Sequence, residues 1–154
     1  MNELRFFVDG IPESQGSKHA FAVRRKSGGV WTYTGKTCMV DASPKHHNRL
    51  KSWRQTVMIA AVNAKNEYGW TTVDEPVGLE LVFYLPSPKK PMFPEPAVKP
   101  DVGKLARAVE DSLTQAELYA DDARIIEEHI RKRYADESHT VGVDIRLWVP
   151  GRMI

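Results

Sequence analysis

The sequence predicts a single α+β domain in which a mixed β-sheet is packed with two main helices. Three observations carry that prediction. Two segments, 77-VGLELVFYLP-86 and 141-VGVDIRLWV-149, alternate apolar residues at the period of two that a strand imposes. Two others, 43–69 and 102–116, repeat apolar residues at spacings of three and four, the helical period. A chain of 154 residues with 42% hydrophobic and 27% charged content also suits one globular domain rather than a disordered chain.

In chain order, 4-LRFFVDGIP-12 reads as a strand closed by a turn, since Leu4, Phe6 and Val8 alternate and Gly10 and Pro12 break the run. Residues 20–33 carry a hairpin signal around Ser27-Gly28-Gly29. The segment 43–69 is a long helix, with Ser43 able to cap it, Pro44 fitting its first turn and Gly69 ending it. Leu50, Trp53, Val57, Ala61 and Ala64 share one face of that helix, which assigns Trp53 to packing rather than to base stacking. The strand over 77–86 follows. Residues 86–100 then hold six of the ten prolines, which excludes regular structure and predicts a loop within the one domain, 1–154. The second helix places Val102, Leu105, Ala106, Val109, Leu113 and Ala116 on one side. Residues 124–134 fit either a helix or a strand with a mixed face. The strand over 141–149 closes the fold.

Composition sets boundaries on function. No apolar run approaches the roughly 20 residues of a membrane span, and the first residues lack a signal-peptide pattern, so a cytoplasmic protein without membrane contact is expected. Cys38 is the only cysteine, which leaves no internal disulfide and no cysteine-based zinc cluster. Net charge is only +2, but it is unevenly spread: 24-RRK-26 and 45-KHHNRLKSWR-54 are basic, whereas acids concentrate between Glu110 and Glu137. His46 and His47 sit among these cations, which favours a DNA-facing or solvated role over metal ligation.

The acidic residues Asp101, Asp121 and Asp122 flank the second helix. Two readings stay open. The three can cap the elements they precede, each cap contributing about 1 kcal/mol. They can instead hold a hard cation such as Mg²⁺, which takes oxygen ligands and assists phosphodiester hydrolysis. A helix of some 15 residues would hold Asp101 and Asp122 roughly 20 Å apart if each sat at one end. They would then meet only if the chain turned back along the helix, or across a subunit interface. Lys104 and Arg107 face a parallel choice between solvated helix positions and phosphate contacts.

Nearly the whole chain resembles the RusA family of Holliday-junction resolvases. The likeness is carried by 10-GIPESQGSK-18, by 39-MVDASPKHHNRLKSWRQTVMIAA-61 and above all by 99-KPDVGKLARAVEDSLTQAELYADDARII-126. The last joins basic-Pro-Asp, a helix, and Tyr-x-Asp-Asp with an apolar strand behind it. The resemblance implies a homodimeric endodeoxyribonuclease of DNA recombination and repair, common in phages. It implies Mg²⁺, with Mn²⁺ as a substitute, and paired symmetric nicks in four-way junction DNA. It assigns the first carboxylate to Asp101 and the last to Asp122, with Asp121 as a less essential partner. Arg107 falls at the family's catalytic lysine, and 126–134 becomes a strand. Lys18, Arg24, Arg25, Lys45 and Arg49 are the expected DNA contacts, together with Lys51, Arg54, Lys89, Lys90 and Lys104. Gly103 departs from the pattern, standing where a second motif Asp is expected. Glu110, Asp111 and Glu127 are the candidate substitutes, and the alternative is a branched-DNA-binding protein with weakened chemistry.

Overall fold

The computed structural model describes residues 2–16, 18–41 and 44–152. Its main sheet has four strands in the order β1-β6-β4-β5, where β1 is Glu3–Asp9, β4 Val77–Leu85, β5 Ile125–Tyr134 and β6 Gly142–Trp148. β6 pairs antiparallel with both β1 and β4, and β4 pairs parallel with β5, so the sheet is mixed as expected. A second sheet is the hairpin of β2, Lys18–Ser27, and β3, Val30–Asp41. Two helices complete the fold, α1 over Pro44–Tyr68 and α2 over Val102–Gln115. The expected cap Ser43 lies outside the described residues.

Strand register shows how the layers form. Leu4, Val8, Leu79, Leu81, Phe83, Val143, Ile145 and Leu147 stand in cross-strand rows and are buried in one core. That core includes the predicted stripe of α1, from Leu50 and Trp53 to Ala64, and Leu105, Ala106, Val109, Leu113 and Ala116 of the second helix and its end. Both helices therefore cover the same face of the sheet. The opposite face carries a polar ladder, with ion pairs from Arg5 to Asp144 at 2.7 Å and from Arg146 to Glu3. Gly78 belongs to this outer face, where the Trp148 ring would meet an added Cβ at 2.2 Å, so only glycine fits there.

The connection from β4 through the proline loop and α2 to β5 is a parallel crossover, which needs a dozen or more residues and usually a helix. Of the two readings open for 124–134, the strand is the one that forms, as the family resemblance implied. Its helical appearance came from Ile125, Ile126, His129 and Ile130. A register shift at Val77/Gly78 leaves Ile126 64% exposed and removes it from the core row. Among the described residues no helix is long and apolar enough to cross a membrane.

Candidate active site

Asp101 immediately precedes α2 in an extended conformation, and its carboxylate makes no capping hydrogen bond. The side chain is exposed and lines a cavity of about 690 Å³. Ile11, Pro12, Pro100, Lys104 and Tyr134 also line that cavity. Lys132 on β5 fixes this corner: its ammonium donates to the carbonyls of Val98 at 2.6 Å and Pro100 at 2.8 Å. The backbone leading into Asp101 is thus tied to the edge strand. From the other side the Gln15 amide donates to the Lys104 carbonyl at 2.9 Å, bringing the N-terminal loop against the start of α2.

Asp122 lies at the other end of the helix. Its carboxylate accepts from the Thr114 hydroxyl at 2.5 Å, and Thr114 is in the last turn of α2. Thirteen residues separate Asp101 from Thr114, a rise of roughly 20 Å along a helix. The chain turns back along α2 only as β5, whose Lys132 reaches the Pro100 carbonyl, while Asp122 itself stays at the Thr114 end. Within one subunit Asp101 and Asp122 therefore stay apart. Asp121 behaves as a cap, accepting from the Ala123 amide at 3.4 Å in the 3₁₀ turn of Asp122–Arg124.

The Asp122 end is crowded with carboxylates. Register places Glu128 on the same sheet face as Leu79, which is the face that α2 covers. There it hydrogen-bonds Glu110 of α2. Burial, this bond and the charges of Glu128, Asp122 and Asp111 push the Glu110 carboxyl up to about 8, because each disfavours another negative charge. Tyr119 closes the back of the site, its hydroxyl donating to the Glu110 carbonyl at 3.1 Å, and burial raises its own pKa well above the usual tyrosine range. An all-oxygen set of this kind is the chemistry a hard divalent cation takes. Among the described residues, however, no group of three or more His, Cys, Asp or Glu within the one chain is arranged to hold a metal ion.

The remaining expected residues divide clearly. Arg107 is exposed on α2, six residues beyond Asp101. Arg24, Arg25, Lys45, Lys51, Lys89, Lys90 and Lys104 are exposed, while the side chain of Lys18 lies outside the described residues. Arg49 pairs with Glu13 at 3.3 Å and Arg54 with Asp111 at 3.6 Å. Both cations are thereby partly spent inside the protein, and Asp111 is paired with Arg54 while its charge still bears on Glu110. His46 is 2.8 Å from the Ser14 carbonyl and helps seat the N-terminal loop. Trp53 is buried and packs close to Gly10, as its helical spacing predicts. Of the three substitutes considered for the carboxylate missing at Gly103, Glu127 pairs instead with His129 at 2.9 Å on the exposed side of β5. Only Glu110 joins the acidic group, and it does so with Glu128. Reading residues 125–134 as a strand with Glu128 in phase with Ile130 could have singled out Glu128. Gly103 itself has nothing within 4 Å of an added Cβ, so no contact in the fold demands glycine there.

A small α+β protein with carboxylates at both ends of one helix, set beside exposed lysines and arginines, has the makeup of a nuclease that hydrolyses DNA. The particular family follows from comparison with known proteins. Residues 20–146, most of the chain, match the model of endodeoxyribonuclease RusA. The chain belongs to that family, whose activity is endonucleolytic cleavage of DNA. No match was found among curated individual proteins.

Proposed function

We propose that this protein is a Mg²⁺-dependent resolvase of four-way DNA junctions, acting as a homodimer whose active sites are shared between subunits. Mn²⁺ would substitute for Mg²⁺, and the setting would be a bacterial cytoplasm, that of a host cell if the gene is carried by a phage. The observation that carries the reading is the separation of Asp101 from Asp122 by the length of α2. A symmetric dimer that sets the two helices side by side and antiparallel brings Asp101 of one subunit to the Asp122 group of the other, and does so twice. Two such centres match two strands to be nicked. Asp101 and Asp122 are the principal metal ligands in this reading, Asp121 an outer partner, and the Glu110–Glu128 pair the carboxylates that make good the ligand missing at Gly103. When bound, the cation would lower the pKa of water and offset charge on the phosphoryl oxygens.

The residues themselves divide the remaining work. Lys132 holds the Pro100 carbonyl and so places Asp101. Arg107 faces solvent on α2, where a guanidinium can neutralise developing charge on a phosphate. Exposed Lys45, Lys51, Lys89, Lys90 and Lys104 supply affinity through phosphate contacts, which weaken as salt displaces them.

A labelled synthetic four-way junction, incubated with the protein and Mg²⁺, Mn²⁺ or chelator, tests the activity. Paired symmetric nicks only with metal are expected. A junction that shifts but stays uncut would instead support a weakened branched-DNA-binding protein. Mixing Asp101→Asn with Asp122→Asn subunits tests the shared site. A heterodimer then holds one site with both changes and one with neither, so single-strand nicking returns. If both carboxylates act within one subunit, every site carries a lesion and nothing returns.

A further inference from the structure

The β2–β3 hairpin forms a sheet of its own, separate from the four-stranded one. Every residue from Arg24 to Lys36 is exposed, including Trp31 at 62% and Tyr33 at 55%. The two residues of the turn, Gly28 and Gly29, have φ of +56° and +80°, which is the two-residue turn whose twist matches a tight hairpin. Arg24 stands opposite Tyr33 and Lys26 opposite Trp31. Successive residues of a strand alternate faces, so Arg24, Lys26, Trp31 and Tyr33 share one face of the ribbon. The Lys26 ammonium lies 5.8 Å from the Trp31 ring centroid. From Lys18 to Val40 the sequence has five Lys or Arg and no Asp or Glu. From Arg24 to Lys36 the hairpin thus joins four cations to two aromatic rings that are open to solvent.

We infer that this face binds unstacked bases at the branch point of the DNA junction, with Trp31 and Tyr33 stacking on bases and Arg24 and Lys26 holding the adjoining phosphates. The inference rests on the junction-resolvase reading and deepens it. Charge selects a polyanion over an apolar or cationic partner. Aromatic rings select exposed base faces, which an intact duplex hides inside its stack and a branch point offers. Spacing agrees: residues two apart on an antiparallel strand are about 6.8 Å apart, twice the 3.4 Å base step, which leaves room for one base between the two rings.

The test uses the full-length protein, a four-way junction bearing 2-aminopurine at the branch nucleotides, and a linear duplex with the same label. Wild-type protein is expected to change the branch-point fluorescence. The double variant Trp31→Ala/Tyr33→Ala should lose that change and bind the junction at least about 5-fold more weakly, given 1–3 kcal/mol for each stacked base. Its affinity for the duplex should stay within about 2-fold, and Trp31→Phe/Tyr33→Phe should restore both junction signals. Both side chains are solvent-exposed, so circular dichroism should show the fold retained. Unchanged junction affinity and fluorescence in the alanine variant would overturn the inference while leaving the resolvase reading in place. Equal loss on duplex and junction would overturn the branch-point assignment. A lower oligomer mass by light scattering would reassign the face to subunit contact. No junction binding by the wild-type protein would sink the resolvase reading itself.

Discussion

The two ends of α2 differ in how they are built. At the start, Asp101 stands alone beside lysines, its carboxylate uncapped, facing a cavity of about 690 Å³ and held only through its backbone by Lys132. At the finish, Asp122 is hydrogen-bonded to Thr114 and faces Glu110 and Glu128, which share a hydrogen bond. The first end lacks ligands and the second has an excess of negative charge. Each end alone is unsuited to a divalent cation and a phosphate together. Their difference is complementary, which is what two halves of one shared site require.

The largest expected effect removes one half. Asp122→Asn keeps the shape and the Thr114 contact but loses the charge. Cleavage of a four-way junction should fall by about 100-fold or more, in the range set by losing one electrostatic group from a transition state. Junction affinity in a gel-shift titration should be unchanged. Equal loss of binding would mean that the acidic end is structural.

A smaller effect comes from misplacing the other half. Lys132→Met keeps length but frees the Val98 and Pro100 carbonyls, so Asp101 loses its tether. A displacement of about 1 Å can cost on the order of 100-fold in rate, and a loss of about 10-fold is expected here, expressed in kcat more than in KM. Normal rates in this variant would show that Asp101 is placed by the proline loop alone.

The acidic excess itself can be titrated. Folding raises the Glu110 pKa to about 8 from the ordinary 4.5. The native chain therefore binds a proton more tightly than the unfolded chain between these values, and stability falls as pH rises across that window. The penalty is absent below about pH 4.5 and complete above about pH 8. Thermal melts in chelator should show Glu110→Gln near wild type at pH 5 and about 2–4 °C more stable at pH 8.5. An advantage independent of pH would separate Glu110 from the carboxylate group.

The smallest effect sharpens the contrast at the first end. Gly103→Ala fits without contact and should stabilise the fold by up to about 1 kcal/mol in urea unfolding, because glycine disfavours helix. Gly103→Asp tests chemistry at the same open position. A faster nicking rate would show that the Asp101 half is short of a ligand, and an unchanged rate would show that Glu110 and Glu128 already supply it.

Most elements were legible because burial follows period. The inward rows of β4 and β6 and the apolar stripes of α1 and α2 each bury one face, so their alternation survives in the sequence. β5 was ambiguous because its inward row carries Glu128 and Lys132 among Ile130 and Tyr134. Charged side chains there interrupt the hydrophobic pattern. The hairpin extends well past residue 33, to Asp41, which the sequence did not signal. Asp101 and Asp122 are singled out through a family resemblance, since caps and ligands look alike in isolation. The Lys132 contact was not legible, because it joins a strand to carbonyls more than thirty residues earlier. The choice of Glu128 over Glu127 was legible only by phasing the strand on Ile130, since a register shift at Val77/Gly78 reverses the phase that Ile125 sets.

The length of α2 acquires a meaning of its own from this arrangement. A helix that holds two reactive poles apart serves as a gauge, and its 14 residues set a span of about 21 Å. Four residues inserted into its middle would lengthen that gauge by about 6 Å while turning the far pole by only about 40°. In the proposed dimer each pole would keep its own chemistry, yet neither would meet its counterpart on the second subunit. On that reading the protein would remain folded and still bind a four-way junction, with its two proposed cutting centres out of alignment.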